Sequence, residues 1–121
     1  MLLLGVVALP PVAAQTVQSA GHAFRVVTLV RGLEQPWGLA FLPDGRMLVT
    51  EKAGRLRIVT NGKLEPKPIA GVPEVTVHGQ GGLMDLAIHP RFAETGWIYL
   101  SYAARGADGV GTEVARGKLT G

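Results

Sequence analysis

The 121-residue sequence is 47% hydrophobic and 17% charged, contains no cysteine, and carries 12 basic against 9 acidic side chains for a net charge of +3. That balance excludes a disordered chain, which combines low hydrophobicity with high net charge, and the lack of thiols excludes disulfides and thiolate metal sites. The mild basic excess sits in residues 25–67, with eight basic and four acidic side chains against four and five in residues 68–121; no aromatic ladder interleaves them, so no nucleic-acid groove is expected.

No charged residue precedes Arg25, and residues 2–14 are apolar apart from Gly5, Pro10 and Pro11. This stretch is too short and too broken for a membrane span, which takes about 20 apolar residues, so no stable membrane anchor is expected. Val12-Ala13-Ala14 puts small residues where signal peptidase needs them. Residues 1–14 therefore read as a secretory signal cleaved before Gln15, lacking the usual basic n-region, and predict a periplasmic or secreted protein. An apolar first strand is the alternative, which Pro10-Pro11 disfavours. Residues 15–23, with His22, are expected to form an N-terminal linker.

From Phe24 onward, short β-type runs alternate with turn residues. Strands are predicted at residues 24–30, 37–42, 46–50 and 55–60, separated by Pro43-Asp44-Gly45 and Ala53-Gly54. Asn61-Gly62 marks a tight hairpin. Arg55 and Arg57 alternate with Leu56 and Ile58, which predicts a solvated face for both arginines. No segment sustains a 3.6-residue period, so the chain reads as all-β.

The sequence also repeats itself. Leu39-Ala40-Phe41-Leu42-Pro43 matches Leu86-Ala87-Ile88-His89-Pro90 at an offset of 47, and Met47-Leu48-Val49-Thr50 matches Ile98-Tyr99-Leu100-Ser101 at an offset of 51. The four extra residues fall after Pro90, and residues 112–119 follow a glycine-rich turn as residues 55–59 follow Gly54. Repeats of about 40–50 residues built from several short strands are the mark of β-propeller blades. A sandwich shares the strand spacing but gives no reason for the apolar-Pro-turn-strand order to return. Residues 24–121 are thus expected to supply about two blades of a ring that closes with roughly 4 to 8, leaving apolar faces that await cover.

The densest cluster of special residues is Val77-His78-Gly79-Gln80-Gly81-Gly82-Leu83-Met84-Asp85. The glycines allow a sharp turn and close backbone approach, leaving the Gln80 amide as a side chain able to donate and accept at once, as recognition of a sugar hydroxyl requires. A glycine-rich lead-in to a blade is the structural alternative. A phosphate loop is excluded, because no Gly-Lys-Ser or Gly-Lys-Thr follows and a strand comes next. Asp85 and His89 stand four apart on a strand, about 13 Å along it, too far to share a metal ion. A hydrogen-bonded His89 at the blade edge is expected instead, and His78, Asp85 and His89 are not assigned as metal ligands. No Ser-His-Asp or paired-carboxylate arrangement is present in the pattern.

Several segments in order carry a family likeness: Gln35-Pro36-Trp37-Gly38-Leu39-Ala40-Phe41-Leu42-Pro43-Asp44-Gly45, Thr50-Glu51, Gly71-Val72-Pro73-Glu74-Val75, His78-Gly79-Gln80-Gly81-Gly82-Leu83-Met84-Asp85 and His89-Pro90. From about Arg25 onward the chain resembles the N-terminal part of the soluble quinoprotein sugar dehydrogenases, the glucose/sorbosone dehydrogenase family that uses pyrroloquinoline quinone (PQQ). The resemblance implies a six-bladed propeller whose loops hold PQQ and calcium. It also implies a histidine base that takes the proton from the C1 hydroxyl of an aldose while hydride passes to the quinone. It implies a substrate-contacting role for Gln80. The base and the cofactor ligands belong to later blades, so no catalytic, cofactor-binding or metal-binding residue is expected in this span. Isolated, the span is expected to be inactive. The electron acceptor is left open. The rival reading is a secreted propeller that only binds, since one fold hosts many functions. A lactonase-like hydrolytic propeller would need several acidic and Asn metal ligands near the channel, and the sequence offers none.

Overall fold

The computed structural model describes residues 15–121, so the signal predicted at residues 1–14 lies outside the described residues. The segment expected as a linker carries structure of its own. Strand β1 (Gln15–Gln18) pairs antiparallel with β2 (Ala23–Val26), and the Ser19 hydroxyl donates to the His22 carbonyl across the turn at 2.9 Å. His22 is therefore placed by a hairpin, not a free linker. Strand β2 ends at Val26 instead of reaching residue 30, and Val27 and Leu29 beyond it are exposed.

Two larger antiparallel sheets follow. The first holds β3 (Pro36–Phe41), β4 (Met47–Glu51), β5 (Arg55–Thr60) and β6 (Lys63–Leu64) in sequential order. Asn61 and Gly62 join β5 to β6 with φ of 50° and 74°, the pair of left-handed residues that a two-residue hairpin of matching twist demands. The second sheet holds β7 (Leu83–Ile88), β8 (Trp97–Gly106) and β9 (Gly109–Lys118). Between β7 and β8 lies one short helix, α1 (Phe92–Thr95), four residues long. That single turn absorbs the four-residue excess of the second repeat. Among the described residues no helix is long and apolar enough to cross a membrane.

The repeat extends to irregularities that periodicity does not reveal. Strand β3 slips register against β4 between Pro36 and Leu39, and β7 slips against β8 between Leu83 and Leu86, the same positions at an offset of 47. A hydroxyl pins each bulge. The Gly38 N–H donates to Thr50 Oγ1 at 2.8 Å, and the Asp85 N–H donates to Ser101 Oγ at 3.0 Å. A bulge frees a backbone N–H from the ladder, and a neighbouring hydroxyl satisfies it.

The sheets pack face to face as consecutive blades of a β-propeller. Their shared core takes Leu42, Leu48 and Leu56 from the first sheet and Leu83, Leu86, Ile98, Leu100 and Tyr102 from the second. The inner strands β3 and β7 approach so closely that a Cβ on Gly38 would stand 2.7 Å from Asp85 Oδ1 and 3.1 Å from Asp85 Cα. Thr50, fully buried, also donates its hydroxyl proton to the Met84 carbonyl of the second sheet. On the side of β3 away from this core, Trp37, Leu39 and Phe41 are exposed. The cover expected on both faces of this strand is thus present on one.

One expectation is overturned. Arg57 is only 9% exposed and Arg55 is half-buried, so β5 does not turn a solvated face outward. The β4–β5 register sets Glu51 opposite Arg55 and Val49 opposite Arg57, which puts the carboxylate and both guanidiniums on one side of the sheet. Alternation alone identified the shared face. It did not identify the acidic partner at the end of the neighbouring strand.

Candidate functional site

The antiparallel order gathers one set of strand ends on a single rim: the starts of β3, β5 and β7 and the ends of β4 and β8. Gln80 stands on that rim, just before β7. The turn that carries it is closed by paired backbone bonds, with the His78 N–H donating to the Gly81 carbonyl at 3.2 Å and the Gly81 N–H returning to the His78 carbonyl at 2.8 Å. Gly79 takes φ of 55° at the first central position, as a glycine-first hairpin turn requires. The Gln80 side chain is exposed at the tip. Behind it, Gly82 is buried against the first sheet, where a Cβ would fall 2.3 Å from the Lys52 carbonyl oxygen.

The other candidates do not converge with Gln80. The His78 backbone closes the turn. Asp85 accepts the Leu86 N–H at 2.8 Å through Oδ1 and lies against Gly38. His89 sits at the far end of β7, where Nδ1 accepts the Arg91 N–H at 3.0 Å and the ring stacks on Tyr99 with centroids 6.5 Å apart. Among the described residues no three His, Asp or Glu side chains are grouped to hold a metal ion. The ammonium nearest the turn, that of Lys52, is occupied by the Gly79 carbonyl at 2.8 Å.

Sequence reasoning missed the support beneath this rim. Glu51 is fully buried at the end of β4. It accepts the Glu34 N–H at 2.6 Å, Arg55 Nε at 2.5 Å and Arg57 Nη1 at 3.3 Å. Burial pushes its carboxyl up, but the Glu34 amide and the two guanidiniums outweigh that effect and hold it below the usual carboxylate range. Arg55 also reaches Glu34 at 2.6 Å. The network fixes the residues leading into β3, where Gln35 holds a positive φ of 46°, uncommon outside glycine. A sequence signal did exist: one acid closing an apolar strand, with arginines four and six positions later.

Comparison with known proteins places these features. The family model for glucose/sorbosone dehydrogenase matches residues 33–121. The aldose sugar dehydrogenase YliI of Escherichia coli is 49% identical over 104 residues, covering 84% of this chain and 28% of that protein. Human Hedgehog-interacting protein is 32% identical over 89 residues, covering 67% of this chain and 13% of that protein. The structure of the PQQ-bound aldose sugar dehydrogenase from Streptomyces coelicolor superposes with a TM-score of 0.67 at 26% identity, covering 89% of this chain and 29% of that one. The chain spans less than a third of the length of each of these relatives.

Proposed function

Because the chain belongs to the glucose/sorbosone dehydrogenase family, we propose that it forms two blades of an exported six-bladed propeller that oxidises the C1 hydroxyl of aldose sugars, with PQQ as hydride acceptor and calcium as its companion ion. Within it, Gln80 contacts the sugar. The observation that supports this role is the placement of the carboxamide: it stands exposed at the tip of a turn whose backbone is closed by two hydrogen bonds and set against the first blade by Gly82. An amide held this way offers an N–H and a C=O side by side, which matches a hydroxyl that must donate one hydrogen bond and accept another. The proton-abstracting base and the cofactor ligands fall on blades outside these residues, so the two blades alone are expected not to turn over sugar.

The test uses a full-length polypeptide carrying these residues. Dye-linked oxidation of glucose should appear with PQQ and calcium and vanish in the apo form. Gln80→Ala should raise the Michaelis constant for aldoses about tenfold, the scale of one hydrogen bond to a buried hydroxyl. An unchanged Michaelis constant and turnover would remove Gln80 from the site.

The similarity to Hedgehog-interacting protein favours one second reading, a secreted propeller that binds without catalysis. Reconstituted full-length protein that retains PQQ but oxidises no aldose would favour it.

A further inference from the structure

Three hydrogen bonds converge on one residue at the candidate rim. The Lys52 N–H donates to the Gln35 carbonyl at 3.1 Å, and its carbonyl accepts the Leu83 N–H at 2.9 Å. Its ammonium donates to the Gly79 carbonyl at 2.8 Å. Lys52 thus grips the Gln80 turn from both flanks, immediately before the glutamine and three residues after it. Gly82 lets the second grip form, since any Cβ there would collide with the Lys52 carbonyl. Around Gly79 nothing lies within 4 Å of where a Cβ would be, whereas at Gly81 a Cβ would stand 3.0 Å from Ala103 Cβ, so packing reaches the far side of the turn and leaves Gly79 open. Ala103 of β8 also holds the flanks, its N–H donating to the Gly82 carbonyl and its carbonyl accepting the Thr76 N–H, both at 2.8 Å, but the bond to the tip itself is the charge-assisted one from Lys52, stronger than a neutral one.

We propose that Lys52 is a positioning residue that sets the Gln80 carboxamide for sugar recognition. The inference rests on the reading that Gln80 contacts the sugar, and it adds the device that holds that contact still. A donor displaced by about 1 Å loses most of its value in a reactive complex. Loss of the ammonium should therefore weaken sugar binding without altering the groups that carry out the chemistry. Arginine keeps a cation of similar reach and should restore much of the grip.

The test compares Lys52→Met, Lys52→Arg, Gln80→Ala and the Lys52→Met/Gln80→Ala double variant in full-length, cofactor-loaded protein. Hydrogen exchange is read across residues 78–81 without sugar, and steady-state kinetics are read with glucose. For Lys52→Met we expect exchange in the turn to rise about tenfold while β4 and β7 stay protected. Its Michaelis constant should rise about fivefold with turnover within about twofold, the pattern of lost binding without lost chemistry. Lys52→Arg should recover most of both, and the double variant should be no worse than Gln80→Ala alone. Unchanged exchange in the turn, exchange that rises equally through β4 and β7, or additive effects in the double variant would overturn the proposal. An unchanged Michaelis constant in Gln80→Ala would instead sink the sugar-contact reading, and the exchange result would then decide separately whether Lys52 sets the turn.

Discussion

Leu56 and Val114 hold the same place in successive blades, yet Leu56 is 1% exposed and Val114 is 70% exposed. The registers establish the equivalence: Leu56 stands opposite Thr50, Val114 opposite Ser101, and Thr50 and Ser101 coincide in the repeat. Leu56 is covered because a further blade packs over it. Val114 marks the face where the next one belongs.

Residues 15–121 expressed alone should therefore behave as an incomplete ring. Trp37, Leu39, Phe41 and Val114 lie on open blade faces, an apolar surface of the kind that drives association. We expect dye binding to exposed apolar surface, a broad thermal transition and concentration-dependent aggregation. A soluble monomer that unfolds cooperatively would contradict this.

Thr50 and Ser101 should differ in energetic weight although they pin equivalent bulges. Thr50, itself fully buried, accepts the Gly38 N–H and donates to the Met84 carbonyl. Thr50→Val strands both groups and should cost about 2–3 kcal/mol in a denaturant titration of the full-length protein. In the same titration Ser101→Ala should cost less, about 1 kcal/mol, since it strands the Asp85 amide alone and its own hydroxyl donates only over a long 3.4 Å contact to the Asp85 carbonyl. Equal costs for the two variants would show that the link to Met84 contributes nothing.

Glu51 should contribute to the acid limb of stability. Its folded pKa lies below its unfolded value, so the stability it contributes is complete above the unfolded pKa and is lost as pH falls through the lower folded value. Glu51→Gln should flatten the loss of stability below about pH 4. Glu51→Ala should destabilise by about 3–5 kcal/mol at neutral pH, because it leaves the Arg57 guanidinium buried without its carboxylate. An acid limb identical in Glu51→Gln and the parent would assign the effect to other carboxylates.

Gly82→Ala tests the seating of the turn from the opposite direction to a Lys52 variant. The added methyl would meet the Lys52 backbone oxygen, which cannot rotate away as a side chain can. Thermal denaturation should reveal a loss of about 2 kcal/mol or more, and the exchange of residues 78–81 should rise with it. A neutral substitution would mean that the two blades can separate locally at no cost.

Much of this architecture is legible in the sequence. The offset of 47 located the inner strands and the blade order, because a repeating unit must present the same apolar face to each neighbour. The turn at Asn61-Gly62 followed from the φ values it requires. The bulges at Pro36/Leu39 and Leu83/Leu86 did not, since a register slip changes no residue type and leaves hydrophobic alternation nearly intact. Arg57 was misplaced for a related reason: its surroundings depend on Glu51 across the ladder, and alternation along β5 alone does not name a partner on the neighbouring strand. At the candidate site, glycine spacing isolated Gln80, whereas Lys52 lies 28 positions earlier and meets its turn only when the two blades stack.

The one-turn helix α1 has a practical consequence. It adds its four residues after β7, while Gln80 precedes that strand, so a six-residue strand of about 20 Å separates them. The two rims therefore tolerate change in length differently. A tether to an electrode, a fluorophore or an affinity tag is best inserted near residues 93–95, where chain length already varies between the two repeats and no helix residue is buried. Insertion at the opposite rim would displace the strand starts on which any sugar contact depends.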